Sequence, residues 1–375
     1  MSRIIPEPVV PSVLRDRIQA VDLLRGLTIA AMILVNNPGT WSAIYAPFEH
    51  APWHGYTPTD LIFPFFLFIV GCSIAFAYRT KSPGGATYRK IVVRSLKLIG
   101  LGIFLGAFLI APPFVKAWEA IRLPGVLQRI GLVFLLAAPL ALHLRTRPLI
   151  VLTLVLLLGY WIWMGFVPLP DGSAPNYERA PNNWAMYVDK LLLGTHTWQE
   201  DYDPEGLLST LPSLATCLIG VITGRFLLEN TVDKTRKLLL ASAGLLVLGH
   251  LWGLVFPINK ALWTSSFVLV TAGWALLALA VIYYLSDVRG LVWGRVFTYA
   301  GANALALYFL SSFFAKVFGL IRVGDTSLHG WIYQTVYDHD FLPDKLSSLL
   351  YALTLVVIYL AVGTLLYRRR IFIKV

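Results

Sequence analysis

Cysteine is scarce in this sequence. Cys72 and Cys217 are the only two cysteines among 375 residues, and both lie within apolar runs. Two isolated thiols exclude a disulfide-stapled scaffold and leave too few sulfur ligands for a structural metal site. We therefore expect both to pack as small apolar side chains, and we expect no bound metal.

Charged residues are also few. They make up 14% of the chain, against 57% hydrophobic residues, and the mean hydropathy is +0.69. A soluble domain of this size could not cover such a composition with polar atoms, so the sequence predicts a polytopic membrane protein in contact with lipid.

Acidic residues are fewer than basic ones, with 20 Asp and Glu against 31 Lys and Arg. A basic excess can indicate nucleic-acid binding. Here the Lys and Arg residues lie in short loops between apolar runs, which is the positive-inside pattern of membrane proteins. We therefore expect no nucleic-acid partner.

About ten apolar runs are long enough to cross roughly 30 Å of hydrocarbon. They lie at about 22–39, 59–78, 95–113, 123–143, 149–167, 207–227, 238–256, 262–285, 296–319 and 346–367. The charge bias places both termini in the cytoplasm. The sequence thus predicts an all-α polytopic membrane bundle with a short polar cytoplasmic head at 1–16, one membrane domain at 17–375, and an outside loop at about 168–206.

Titratable side chains stand at the entrance of the second apolar run. His50 and His54 precede it, Asp60 lies at its start, and Asn36 ends the first run on the same side. Such groups at a membrane helix indicate a functional site. An imidazole beside a carboxylate and an amide suits general acid–base catalysis with oxyanion stabilisation, and a plain hydrogen-bonding role is the alternative. Serine hydrolase, zinc protease and ATP-driven pump motifs are missing.

Other polar residues lie at the ends of the predicted helices. Arg25 can pair with Asp22 three residues away, as a topology anchor or as a contact for a polyanion from the cytoplasm. The loop at 168–206 mixes acids with aromatics, which suits a sugar or a cation but also an ordinary solvated loop. Packing between helices is the alternative for the polar helix starts.

Several of these segments carry a resemblance to a known family. The segments are Asp22-Leu-Leu-Arg-Gly, Val35-Asn36, His50-Ala-Pro-Trp-His-Gly-Tyr-Thr-Pro-Thr-Asp60, Pro124-Gly-Val-Leu-Gln-Arg129, Asp203-Pro-Glu-Gly-Leu-Leu-Ser-Thr and Asn259-Lys260-Ala-Leu-Trp263. In this order, over roughly 17–370, they resemble the transmembrane N-acetyltransferases typified by heparan-α-glucosaminide N-acetyltransferase and its bacterial inner-membrane relatives.

The resemblance implies a reaction and roles for individual residues. Acetyl would pass from cytosolic acetyl-CoA, a co-substrate, to the amine of a glucosamine-type sugar outside a bacterial inner membrane. The family's essential histidine and asparagine fall on His50 and Asn36, and we expect Asp60 to orient His50 or to bind the amine. We expect CoA contacts from Arg25, Arg94, Lys97 and Arg129, and substrate contacts from Trp53, His54, Asp203, Glu205, Asn259, Lys260 and Trp263.

Some alternatives stay open at this point. His54 stands where the lysosomal member has Asn, so it is assigned to the substrate and not to catalysis. The same polar helix starts suit an amino-sugar transporter, and the same chemistry suits an acyltransferase acting on cell-envelope glycan. An acyl-histidine intermediate and direct transfer are both compatible with the sequence, as are a monomer and a homodimer.

Overall fold

The structure, a computed structural model, describes residues 18–373, so the predicted head at 1–16 lies outside the described residues. The described part of the chain is mostly helical. The helices are α1 (Gln19–Asn36), α2 (Pro58–Tyr78), α3 (Gly85–Ala107), α4 (Val126–His143), α5 (Thr146–Phe166), α6 (Trp184–Leu193), α7 (Thr210–Leu228), α8 (Lys234–Gly253), α9 (Ser265–Tyr283), α10 (Arg295–Gly301), α11 (Ala304–Leu320), α12 (Leu328–Val336) and α13 (Asp344–Arg368). A short antiparallel hairpin precedes α12. Its strands, β1 (Arg322–Val323) and β2 (Thr326–Ser327), have two residues each.

Seven of the described helices are long and apolar enough to cross a membrane, namely α1, α2, α4, α5, α7, α9 and α13. The bent pair of α10 and α11 brings the number to eight if it is counted as one span. The chain is therefore a polytopic helical membrane protein, as its composition predicts.

The span predicted at 296–319 is broken in the structure, because the chain bends by 82° between α10 and α11. Close packing before the bend accounts for part of this geometry. A Cβ on Gly301 would lie 2.4 Å from the carbonyl oxygen of Asp22, so α10 rests directly on the backbone of α1. A second cause is Asn303, whose side chain binds a distant segment of the chain.

Two other predicted segments have different limits in the structure. The helix predicted at 95–113 begins ten residues earlier, because Arg89, Lys90 and Arg94 continue its helical face. The outside loop at 168–206 contains α6, whose N-cap Asn183 accepts a hydrogen bond from the Ala185 N–H at 3.0 Å. Hydropathy alone detects neither the amphipathic start of α3 nor α6.

Helix α2 lies at the centre of the bundle and packs on α7 without intervening side chains. A Cβ on Gly71 would lie 2.0 Å from the Cys217 carbonyl oxygen, and one on Gly220 would lie 2.0 Å from the Phe68 carbonyl oxygen. Cys72 and Cys217 are both buried and free. Below, the end of the bundle where α2 begins is called the outer end, and the end where α2 finishes is called the inner end.

Candidate active site

The first turn of α2 fixes a carboxylate at the outer end. Pro58 occupies the first turn, and Thr57 and Asp60 form a capping box. Oδ2 of Asp60 accepts the N–H groups of Ala51 and Thr57, each at 3.0 Å. This side chain is only 1% exposed, and the Thr57 hydroxyl also donates to Oδ2, at 3.2 Å.

His50 bonds to the other oxygen of this carboxylate. Its Nδ1 lies 2.6 Å from Oδ1 of Asp60, and its side chain is 53% exposed. A carboxylate can only accept here, so Nδ1 carries the proton and Nε2 keeps its lone pair. The pair therefore presents a proton acceptor at the open outer end, as the sequence predicts for an acid–base group.

Lys260 is the cation next to this pair. Its ammonium lies 3.3 Å from Oδ1 of Asp60 and 3.0 Å from Nδ1 of His50. Because Nδ1 already donates to Asp60, the ammonium pairs with the carboxylate and packs against the imidazole, with its Nζ also 3.4 Å from Nε2. Burial lowers the pKa of Lys260, and the negative charge of Asp60 opposes that shift. Lys260 thus lies between the carboxylate of Asp60 and the exposed imidazole.

Three of the predicted substrate residues, Trp53, His54 and Asn259, lie close together. Nε2 of His54 donates to Glu178 at 3.1 Å, and its Nδ1 accepts from Asn259 at 3.3 Å. The indole N–H of Trp53 donates to the Tyr177 carbonyl at 3.0 Å. The loop before α2 is thus tied to the segment between α5 and α6, with the half-exposed side chains of Trp53 and His54 near His50.

Asp203 and Glu205 are held by an arginine instead of facing outward. Arg122 donates from Nε to Asp203 at 2.7 Å and also binds Glu205. Although burial acts in the opposite direction, hydrogen bonds and charge from the two carboxylates raise the pKa of Arg122. Asp203 also accepts the N–H groups of Trp198 and Glu205, each at 2.8 Å, so its oxygens are occupied.

Arg129 and Trp263 lie beneath this cluster, fully buried. Arg129 donates to the Gly206 carbonyl at 2.8 Å and to Ser209 at 2.5 Å, and its guanidinium lies 5.2 Å from the Trp263 ring centroid. Trp263 has no exposed surface. The structure therefore places both residues in the support under the site, away from the other predicted CoA contacts.

Asn36 lies at a neighbouring cavity of the outer end. This cavity has a volume of about 250 Å³, and Trp41, His329 and Tyr351 also line it. Among the described residues, no hydrogen bond joins Asn36 to His50. The predicted partnership of the two residues therefore stays a prediction.

A larger cavity opens at the inner end, with a volume of about 880 Å³. Arg25, Arg94 and Lys97 all line it, so three of the four predicted CoA contacts come together here. Arg25 donates to Asp22 at 3.0 Å and to Ser73 of α2 at 2.8 Å. This volume lies in the range of ligand pockets, and its cations suit a phosphorylated ligand.

Several residues of these sites were missed in the sequence. Arg89 and Lys90 also line the inner cavity, and the spacing of Lys90, Arg94 and Lys97 on one helical face was the available signal. Ser73, Arg122 and Glu178 bind the predicted residues but carry no local motif. Their roles depend on contacts between distant parts of the chain, which spacing does not show.

Known proteins share much of this sequence. A family profile described as "Heparan-alpha-glucosaminide N-acetyltransferase, catalytic" matches residues 17–256. The heparan-alpha-glucosaminide N-acetyltransferase of Homo sapiens is 30% identical over 357 residues, covering 79% of this chain and 53% of the human protein. That of Mus musculus is 29% identical over 350 residues, covering 78% and 53%. The chain thus spans about half the length of the curated relatives it matches.

Proposed function

Because this chain belongs to the heparan-alpha-glucosaminide N-acetyltransferase family, we propose that it moves acetyl across the membrane. The donor is acetyl-CoA in the cytoplasm, and the acceptor is the amine of a glucosamine-type sugar on the opposite side. One observation carries the proposal: a basic cavity and a His–Asp pair lie at opposite ends of the same helix, α2.

The distance between the two ends suits a long thioester. Asp60 opens α2 and Ser73, which binds Arg25, follows 13 residues later, so the sites are about 20 Å apart along the helix axis. Arg25, Arg94 and Lys97 would hold phosphates of CoA at the inner end. The pantetheine arm would then run through the bundle and bring its acetyl group to the outer end.

His50 would act as the general base at the outer end. Its Nε2 takes a proton from the sugar ammonium, and the freed amine attacks the thioester carbonyl. A C–N bond forms, the C–S bond breaks, and the proton on His50 passes to the departing thiolate. His50 then takes the second proton from the acetylated nitrogen and releases it to water at the open outer end. Asp60 holds the tautomer that leaves Nε2 free, and the ammonium of Lys260 stabilises negative charge on the carbonyl oxygen.

The acceptor would bind beside Trp53 and His54. A half-exposed indole offers a face for a sugar ring, and Glu178, 68% exposed, offers a carboxylate for an ammonium or a hydroxyl. In this proposal Asn36 approaches the carbonyl oxygen when the acceptor is bound. Asp203, Glu205, Asn259 and Trp263 support the loops around the site.

The proposed topology has ten crossings in one membrane domain. Helices α3 and α8 have 23 and 20 residues and pack along α4 and α9, so they add two crossings to the eight counted above. An even number places both termini on one side, and the basic inner loops assign that side to the cytoplasm. We place the protein in a bacterial inner membrane on the sequence resemblance.

Acetyl transfer by the purified protein tests the proposal. In detergent, the wild type should transfer acetyl from acetyl-CoA to glucosamine, and His50→Ala should abolish transfer while its size-exclusion profile stays unchanged. Undiminished transfer by His50→Ala removes His50 from the mechanism. A wild type without transfer to any amino sugar refutes the proposed activity.

An amino-sugar transporter is the second candidate, and the break between α10 and α11 favours it because transporters use broken helices at substrate sites. Uptake of sugar into vesicles without acetyl-CoA would support this alternative. Transfer to polymeric envelope glycan, and not to free glucosamine, would instead support the glycan acyltransferase.

A further inference from the structure

The segment at 371–373 folds back onto the break between α10 and α11. Nδ2 of Asn303 donates to the Ile371 carbonyl at 3.0 Å, and Oδ1 of Asn303 accepts the Ile373 N–H at 2.8 Å. The side chain of Asn303 thus both donates and accepts a hydrogen bond, and the residue is only 2% exposed. We call this pair of hydrogen bonds the tail clasp.

The tail clasp occupies a side chain that would otherwise cap a helix. Asn303 is the N-cap residue of α11, where asparagine usually accepts an N–H of the first turn, yet it makes no such bond. The first N–H groups of α11 therefore lack this cap. Because Ala304, Leu305 and Ile373 all line the inner cavity, the uncapped helix end and the tail share one wall of it.

This wall meets the cationic side of the same cavity. Arg25 lies within 3.5 Å of the Gly301 carbonyl, just before the break, and Arg94 and Lys97 project from α3. A helix N-terminus and three cations around one space favour a multiply charged anion.

Aromatic contacts fix the tail in place. Phe372 packs edge-on against Tyr367 of α13 at 5.7 Å, and Tyr367 stacks on Tyr299 of α10 at 4.3 Å between ring centroids. The Ile371 N–H also donates to the Leu366 carbonyl at 2.9 Å. The segment 371–373 is therefore held on α13 and, through Tyr367, against α10.

We propose that Asn303 is a positioning residue for the donor site: through the tail clasp it shapes the α10–α11 break so that the start of α11 faces a phosphate group of CoA. The inference rests on the proposed function and deepens it, because it assigns the phosphate-binding geometry to a backbone element. It predicts that breaking the clasp weakens binding through the phosphates alone.

Calorimetric titration of the detergent-purified protein with CoA, 3′-dephospho-CoA and pantetheine tests this inference. A chain ending at Arg370 and the Asn303→Ala variant should each bind CoA about tenfold more weakly. Their combination should be no weaker than either alone, because both changes remove the same contact. Pantetheine, which has no phosphate, should bind all of these proteins equally.

Two more variants sharpen the comparison. A chain ending at Ile373 keeps both hydrogen bonds and should bind CoA like the full chain. Asn303→Asp places a carboxylate beside the phosphate, so it should bind CoA more weakly than Asn303→Ala. If 3′-dephospho-CoA loses affinity as CoA does, the diphosphate lies at α11, and if only CoA loses affinity, the 3′-phosphate does.

Other results would contradict the inference or the proposed function. The inference is overturned if ending the chain at Arg370 leaves the CoA affinity unchanged, or if the pantetheine affinity falls as much as the CoA affinity. The proposed function would still stand in both cases. The inference is also overturned if the losses of CoA affinity in the two single variants multiply in the combined variant. A wild-type protein that binds no CoA overturns the proposed function itself.

Discussion

The carboxylate of Asp60 acts through His50, so its charge should matter more than its volume. Asp60→Asn keeps the shape but removes the acceptor that fixes the imidazole tautomer and the partner of Lys260. We expect kcat to fall by roughly 100-fold or more. The KM for acetyl-CoA should stay unchanged, because the basic cavity lies about 20 Å away along α2.

Steady-state transfer to glucosamine measures both constants. Glu200→Gln, which removes an exposed acid on the same side of the bundle, is the matched control and should behave like the wild type. A kcat for Asp60→Asn near the wild-type value would contradict the tautomer argument.

Asp189 should make stability depend on pH. Burial, with the nearby charge of Asp203, raises the pKa of this α6 carboxyl from 3.8 to about 6. The folded protein therefore favours the protonated acid, so this contribution is present below pH 4 and is lost as the pH rises through 6. The loss amounts to about 3 kcal/mol at neutral pH.

Asp189→Asn keeps an oxygen for the Leu207 N–H, which Asp189 now binds at 2.8 Å. The variant should raise the Tm at pH 7.5 and leave it nearly unchanged at pH 4. Thermal unfolding in detergent at both pH values measures this difference. An equal change in Tm at the two pH values would exclude titration of Asp189 as the cause.

At the residue scale, contacts between residues close in the chain could be predicted from the sequence. His50 and Asp60 are ten residues apart and their contact follows from one loop and one helix start. Arg129, on α4, and Trp263, in the turn before α9, could not be placed this way, because Arg129 contacts both the Trp263 ring and the Gly206 carbonyl across long stretches of the chain. Spacing predicts a helix end but not its neighbours.

The contact between α2 and α7 is the element-scale feature most sensitive to a single methyl group. A Cβ at Gly220 would lie 2.0 Å from the backbone carbonyl of Phe68, which a side-chain rotation cannot relieve. Gly220→Ala should therefore cost about 1–3 kcal/mol and lower the Tm by a few degrees. Gly100→Ala, in open space on α3, should have no such effect. Thermal unfolding of both variants tests this, and equal Tm values would refute the close packing.

The predicted elements agree best with the structure where an apolar run and a helix coincide. Helix α2, predicted at 59–78, spans Pro58–Tyr78. The break before α11 was missed because Gly301, Ala302 and Asn303 sit in an apolar context, and only contacts with α1 and with the tail at 371–373 reveal it. A composition window averages over such a bend.

For the whole molecule, the proposed mechanism requires donor and acceptor on opposite sides. Vesicles with the chain termini facing inward, loaded with acetyl-CoA and bathed in glucosamine, should form acetylated sugar outside. Acetyl-CoA added only outside should give no product until detergent opens the vesicles. Product formed with both reagents outside intact vesicles would contradict the proposed path of the acetyl group. Scintillation counting of labelled product in the external medium measures the outcome.

The glycine contacts of α2 have a further consequence for which donors can react. Both ends lie on one continuous helix that is packed backbone to backbone on α7, so the phosphate end and the imidazole end stay about 20 Å apart. The length of α2 then sets the distance that the donor must bridge. A thioester on a truncated carrier could reach the arginines or the histidine but not both at once, so carrier length itself would select the cofactor.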